Sequence, residues 1–396
     1  MYLKLSKFFF LLLVMYYGWF QEVFFQIPNM LLFLGAIMMA CIILHACINK
    51  INILKYITIE LSFWLLFAFT SFAFGFFIAR NRSIMTSYIV TYVEFLILIY
   101  GMIYISDQEK SINFFVKSFV FFSTVCSITT IFFGVEYISG RISMGVNNNP
   151  NSVGIIMAIG VCCVLYNLNM KRLFQSIFSF AIIFLLLYAA ILTGSRKSFL
   201  SIVLVFVYWI LFVVFKEIKI AKLKGIALLL LLVVIGVNIV TIFFRDSILL
   251  FRLSDLFESG SNIRSGMYRA AFKLFEQSPI IGIGFNNYRI LSGYGTYSHS
   301  TYAEALACTG LIGITLYFSP YIIIFKKYYT LFINRNLSGT LHRETRVMLG
   351  LFFMLLFLGI GIIHFYTMSS NIAFGMIIAL SNIYNKEYLS ENNKNL

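Results

Sequence analysis

Charge is what this chain has least of. Charged residues make up 11% of its 396 positions, against 61% hydrophobic ones. A soluble globule of that length buries only about three quarters of the surface its chain exposes, so a soluble fold is excluded. The six cysteines, Cys41, Cys47, Cys126, Cys162, Cys163 and Cys308, all fall inside apolar runs. None stands in a polar loop, which rules against a disulfide framework and a C-x-x-C metal site. The adjacent Cys162-Cys163 reads as small apolar filling. Four histidines are scattered along the chain and leave no cluster for a metal centre, so neither metal nor cofactor is expected. No internal repeat and no low-complexity linker divides the chain, and residues 1–396 read as one transmembrane helical domain.

What fills the chain is a series of apolar runs of about 20 residues, each long enough to cross roughly 30 Å of hydrocarbon. The expected fold is all-α, a polytopic integral membrane protein with about twelve transmembrane helices. They fall at roughly 8–25, 28–48, 57–79, 84–105, 112–134, 152–169, 173–193, 198–215, 225–244, 301–325, 347–365 and 369–385. The first run follows Lys4 and Lys7, as a signal peptide would. It lacks a small-residue cleavage site and passes into Trp19-Phe20-Gln21-Glu22, so it reads as a retained span. Glu391-Asn392-Asn393-Lys394-Asn395 reads as a frayed tail.

Basic residues number 30 against 15 acidic ones, a net charge of +15. With both termini cytoplasmic, the inner loops collect Lys50, Lys55, Lys110, Lys171, Arg172, Lys216, Lys219, Lys222, Lys224, Lys326, Lys327, Arg335, Arg343, Arg346 and Lys386, as the positive-inside rule asks. The excess is thus mostly topological and requires no nucleic-acid partner. The outer face differs in kind. It carries Arg80, Arg82, Arg141, Arg196, Arg245, Arg252, Arg264, Arg269 and Arg289, against only Lys197 and Lys273. Any one such arginine can simply snorkel at a span end. Together, with forked donors suited to phosphate oxygens, they point to a phosphate-bearing ligand outside.

Residues 245–300 form the longest polar interruption, an expected extracytoplasmic loop between spans nine and ten. A short amphipathic helix is expected at about 262–278, capped by Ser261 or Asn262 and ended by Pro279. At 3.6 residues per turn, Met267, Tyr268, Ala271, Leu274 and Phe275 share one face. Arg264 lies on that face, while Arg269, Lys273 and Glu276 lie opposite. A charge on a packed face is expensive unless partnered, which favours Arg264 as a ligand residue and Arg269 as solvated charge. Ile281-Gly282-Ile283-Gly284-Phe285-Asn286-Asn287-Tyr288 reads as a turn; no strand precedes it, so it is no dinucleotide fingerprint.

Thr301-x-x-Glu304 reads as a capping box that starts span ten at about Thr301. His299 then sits just ahead of a helix N-terminus, whose positive end disfavours imidazolium and leaves a neutral ring able to take a proton. Glu304 reads as a cap before it reads as a catalyst. In the loop 140–151, the run of amide side chains Asn147, Asn148, Asn149 and Asn151 can bind sugar hydroxyls or merely form the turn. Thr193-Gly194-Ser195-Arg196 holds Arg196 at the outer mouth of the bundle. Glu94, mid-span, is either a functional group or a buried, protonated carboxyl.

Taken in order, these segments resemble the O-antigen ligase/polymerase superfamily. The resemblance rests on Gly140-Arg141-Ile142-Ser143, Asn149-Pro150-Asn151, Thr193-Gly194-Ser195-Arg196, and Arg264 with Tyr268 ahead of Ser278-Pro279 and Gly282-x-Gly284. It is completed by His299-x-x-Tyr302-x-Glu304 with Gly310 and Gly313. It covers about residues 135–320, and the span layout with one large loop extends it, although the first four spans match only in hydropathy. It implies a GT-C-like glycosyltransferase of the bacterial cytoplasmic (inner) membrane, with its active site on the outer face. Its substrates would be glycans carried on undecaprenyl pyrophosphate. Polymerases of the family move a growing glycan onto another lipid-linked repeat unit, and ligases move the finished glycan onto the lipid A core. The resemblance further implies that Arg196 and Arg264 hold the pyrophosphate and that His299 is the base on the acceptor hydroxyl. Arg141 matches a family position without an assignable role, and Asn149, Asn151, Tyr268, Tyr302 and Glu304 would bind or support the glycan. Asn149-Pro150-Asn151 tilts the likeness toward the polymerases. A chain-length regulator and a flippase of the same pathway are the implied protein partners.

The expected activity is therefore metal-independent polymerisation of oligosaccharide repeat units into surface polysaccharide, O-antigen or capsule. Transfer should invert the anomeric carbon, since no outer carboxylate pair at glycosidase spacing is evident. The alternatives are a ligase of the lipopolysaccharide pathway, or a flippase or transporter of the same lipid-linked glycan. A transporter calls for charges along a path through the bundle and helices broken near the midplane, whereas here the basic residues gather at the outer mouth.

Overall fold

The computed structural model describes residues 1–24, 27, 30–137, 139–145, 149–168, 172–215, 247–258, 262–333 and 339–392. Helix α1 (Tyr2–Met15) continues through a π-turn, Tyr16–Phe20, into Gln21–Val23. It is followed by α2 (Met30–Ile48), α3 (Ile59–Ile78), α4 (Arg82–Glu109), α5 (Asn113–Phe133), α6 (Pro150–Asn167), α7 (Leu173–Leu192) and α8 (Arg196–Trp209). After the undescribed stretch come α9 (Ile248–Glu258), α10 (Asn262–Gln277) and the single turn α11 (Tyr288–Leu291). Three long helices complete the chain: α12 (Thr301–Ile333), α13 (Gly339–Leu358) and α14 (Met368–Asn392). Among the described residues, nine helices are long and apolar enough to cross a membrane, the first eight and α12. The expected span at 225–244, the start of the loop at Arg245 and the expected cap Ser261 lie outside the described residues. The protein is a multi-pass membrane protein.

Two features depart from the all-helical expectation. Val135–Glu136 and Ile142–Ser143 pair as a small antiparallel hairpin, Val135 opposite Ser143. The eleventh span, expected to reach 365, stops at Leu358, and residues 359–367 form turns and a short 3-10 segment, His364–Tyr366. Gly359 and Gly361 explain the early stop, because glycine is a poor helix interior residue.

Burial separates core from periphery. In α6 every residue from Val153 to Tyr166 is buried, and in α14 so is every residue from Met368 to Ser381. Outward-facing apolar groups ring them: Phe77, Phe132 and Phe174 are 79%, 70% and 85% exposed. A soluble protein would not present such a surface, and hydrocarbon is the solvent that suits it. Polar pins join the layers. The Trp64 indole donates to the Tyr317 carbonyl at 3.0 Å, tying α3 to α12, and the backbone N–H of Asn81 donates to Asn287 Oδ1 at 2.9 Å.

Helix α12 is interrupted. Gly310 takes φ +62° and ψ −162°, outside helical geometry. Leu311 and Ile312 therefore cannot reach the Ala307 and Cys308 carbonyls four residues back. The segment 279–284 fills the gap: Leu311 and Ile312 donate to the carbonyls of Pro279 and Ile280 at 2.9 and 3.1 Å. In return, Ile283 and Gly284 donate to those of Ala307 and Cys308 at 3.0 Å each. Unmade backbone bonds at membrane depth would each cost several kcal/mol, so the exchange is what lets the helix break. The segment 281–288 is thus more than the expected turn. It is backbone inlaid in α12.

Candidate functional site

The hairpin, the turn before α8, helix α9 and the first turn of α10 bring their arginines to one end of the bundle. Arg141 Nε donates to the Thr193 carbonyl at 2.8 Å, and its Nη2 donates to Asn151 Oδ1 at 2.7 Å. Arg196 Nη1 donates to the Arg252 carbonyl at 2.7 Å, and Arg252 Nη1 donates to the Gly194 carbonyl at 2.6 Å. Gly194 has φ +58°, and a Cβ there would stand 3.3 Å from Arg141 Cγ. The tight turn is therefore shaped around the guanidinium. Burial first, then Arg252, Arg196 and Arg264, push the Arg141 guanidinium down from its usual value to about 10. Cations crowd here.

A narrow pocket is lined by Arg196, Lys197, Arg252 and Arg264, and no carboxylate is among its lining residues as far as the described residues go. Lys197 reaches it over Gly361, where a Cβ would lie 2.1 Å from Lys197 Cδ and 2.4 Å from its Nζ. A side chain at 361 would occupy the lysine's path. Arg264 is half-buried on the packed side of α10, whose Met267, Ala271 and Leu274 are buried, while Arg269, Lys273 and Glu276 are exposed. Four cationic side chains from three helices thus converge on one space, an arrangement suited to a multiply charged anion.

Beside it lies a cavity of about 420 Å³ whose walls include Tyr88, Arg289, Tyr297, His299 and Tyr366. Asn151, Gly361 and Ile362 line both spaces, so the two adjoin. Arg289 is held in place by donating to Asn286 Oδ1 at 3.1 Å and to the Tyr88 hydroxyl at 3.2 Å. His299 is half-buried, has φ +57° and packs its ring on Tyr297, centroids 4.4 Å apart. Burial above all, then Arg264 and Lys197, holds the imidazole down at about 4. It is neutral at pH 7, held so by burial and by two side chains brought from α10 and α8.

The capping box is rearranged. Ser300, not Thr301, supplies the cap, its Oγ accepting the Ala303 N–H at 3.3 Å. Buried Glu304 accepts the N–H of Ser298 at 2.8 Å and so braces the turn that presents His299. Thr301 turns its hydroxyl to the 359–367 segment, donating to the Ile362 carbonyl at 2.7 Å and accepting the His364 N–H at 3.0 Å. The strained left-handed backbone at His299 leaves Thr301 facing that segment instead of its own helix end.

The remaining expected residues divide into wall and scaffold. Asn151 is wall. Asn149 caps α6, its Oδ1 accepting the Asn151 N–H at 2.9 Å. Tyr268 donates to the Ile360 carbonyl at 2.9 Å, and Tyr302 donates to that of Leu356 at 2.8 Å with its ring stacked on Phe318. Both tyrosines clamp the end of α13 and the segment after it. Glu94 lines neither space; it borders an apolar cavity with Leu13, Leu31 and Met38. Sequence reasoning passed over Lys197, Arg252, Arg289, Tyr297 and Gly361. Arg252 and Arg289 stand among the outer arginines, but nothing local separates them from solvated charge, and Gly361 falls inside what reads as span eleven.

A bundle of apolar helices with a cluster of cationic side chains at one end defines a multi-pass membrane protein. Residues 180–318 match the family model Wzy_C, O-antigen ligase, which puts this segment in the O-antigen ligase/polymerase superfamily of glycosyltransferase-like membrane enzymes. No curated protein matches the chain. The matched segment contains Arg196, Lys197, Arg252, Arg264, Arg289 and His299, whereas Arg141 and Asn151 lie before it.

Proposed function

We propose that this protein polymerises undecaprenyl-pyrophosphate-linked oligosaccharide repeat units by glycosyl transfer on the outer face of the bacterial cytoplasmic membrane. The observation that carries this reading is the adjacency of a pocket lined by four cations and a neutral histidine, joined through Asn151, Gly361 and Ile362. Arg196 and Arg264, with Lys197 and Arg252, hold the donor's pyrophosphate. As the anomeric C–O bond to it breaks, they stabilise the charge that develops on the leaving oxygen. The acceptor sugar lies in the cavity of His299, which takes the proton from the attacking hydroxyl as the new C–O bond forms. Arg141 braces Asn151 and the Thr193 turn. Direct attack inverts the anomeric carbon, and no metal is needed because the arginines supply the electrostatics.

The designation of the matched family, O-antigen ligase, favours one second reading: the same chemistry with a lipid A core as acceptor. A flippase is less well supported. A transporter's broken helix would offer its freed backbone groups to cargo, whereas those beside Gly310 are bonded to residues 279–284. His299→Ala, Arg196→Ala and Arg264→Ala, each with membrane insertion confirmed, should remove the length ladder of the host's surface polysaccharide on a gel while single repeats remain on the acceptor. Polymer accumulating on the carrier lipid would instead identify a ligase, and repeat units trapped inside the cell a flippase. A normal ladder in His299→Ala would sink the base assignment.

A further inference from the structure

The start of α4 lines the cavity of His299; its far end, with the far ends of α12 and α14, encloses a different cavity, of about 590 Å³. Lys55, Lys326, Lys327 and Lys386 line it, against Asp107 as the only carboxylate among its lining residues. The acid is committed. Asp107 Oδ1 lies 2.5 Å from Lys386 Nζ, and its Oδ2 accepts the Tyr56 hydroxyl at 3.0 Å. Lys327 is committed too, 2.6 Å from buried Glu60 and donating to Asn382 Oδ1 at 2.9 Å. That last bond fixes the Asn382 amide, and among the described residues its buried Nδ2 meets no acceptor. Lys55 stands over the Tyr56 ring at 4.8 Å, and Lys326 is exposed. The cavity thus offers two ammonium groups and an amide N–H, while its carboxylate and the Asn382 Oδ1 are already engaged. Ile59, Ile103 and Ile383 make an apolar lower wall.

The insertion rule accounts for lysines at this end of the helices. It does not account for an asparagine amide fixed among them without an acceptor, nor for lysines from three segments meeting over one cavity. A donor-rich, acceptor-poor space above an apolar wall is the shape of a phosphate headgroup with its glycerol beneath. We propose that this cavity binds the phosphate of an anionic glycerophospholipid from the leaflet on the lysine-rich side. It is a second anion site, separate from the arginine pocket and independent of the reading of that pocket.

The test uses the full chain in nanodiscs of mixed phosphatidylglycerol and phosphatidylcholine, with native mass spectrometry to count the lipid each molecule retains. Retained phosphatidylglycerol should exceed its share of the mixture several-fold. Lys55→Gln with Lys326→Gln should abolish that enrichment, Lys55→Arg with Lys326→Arg should preserve it, and Lys110→Gln, outside the cavity, should leave it unchanged. Retention in proportion to the mixture, or enrichment undiminished in the double glutamine variant, overturns the proposal. So does the case in which inorganic phosphate, added to phosphatidylcholine nanodiscs, raises the melting temperature as much as phosphatidylglycerol does and the double glutamine variant loses that rise, for then the occupant is free phosphate. Both glutamine changes are at exposed positions, and an unchanged melting temperature in phosphatidylcholine alone verifies that the variant folds.

Discussion

As the proposed base, His299 is too weak while no anion sits beside it. Its imidazole is held at about 4 by burial, Arg264 and Lys197, and general base catalysis works best with a pKa near the working pH. A pyrophosphate bound to those same cations cancels their field, so the proposed donor itself would raise the ring's basicity. The sign is testable. The acid limb of kcat/KM, which reports the free enzyme, should fall near pH 4, and the limb of kcat, which reports the complex, should fall at higher pH. Arg264→Gln removes one of the two cations that disfavour imidazolium, so its kcat/KM limb should move up. Its kcat should drop on the order of 10²–10³-fold, as when one preorganised charge-stabilising donor is lost. Coincident limbs in wild type and variant would contradict this account. A neutral histidine was legible from the residues around position 299. That Arg264 and Lys197 help to hold it neutral was not, since they lie 35 and 102 positions away in the chain.

Among the elements, α12 carries the most consequence, because its break seats the loop that leads to His299. At Gly310 a Cβ would stand 2.5 Å from the carbonyl of Ile280, and φ is +62°. Gly310→Ala therefore combines a backbone conformation costing about 1–3 kcal/mol with a clash against inlaid backbone. The detergent-solubilised variant should melt several degrees lower and lose polymer synthesis, while Gly293→Ala, which has open space around it though a similar φ, should lose less stability and keep the ladder. Equal melting of the two variants would show that the inlay is not what holds the loop. Helical phase correctly sets Arg264 on the packed side of α10 and Arg269 in solvent, because that periodicity is local. The same reasoning carried span eleven through Gly359-Ile360-Gly361, since hydropathy registers apolarity and not whether a segment hydrogen-bonds to α10 and α12.

Across the whole molecule the two ends differ chemically, arginine with histidine at one and lysine with paired carboxylates at the other. The proposed orientation puts the first outside. Glu276→Cys, exposed on α10, should label in intact cells with a membrane-impermeant maleimide, while Cys47, the exposed native cysteine at the end of α2, should label only after permeabilisation. The reverse pattern would invert the topology and remove an external glycan from consideration.

Apolar run length and the scarcity of charge were enough to determine a helical membrane bundle, since water tolerates no other fate for such a chain and hydrocarbon tolerates few other backbones. They also determined where helices begin near Thr301, Arg196 and Pro150, because caps, turns and proline act over a few residues. Tertiary structure decided which arginines form a site, why the histidine is neutral, and that residues 359–367 wall both pockets. Those outcomes depend on field, burial and backbone bonds between segments far apart in the chain, and such distances leave no periodicity to read.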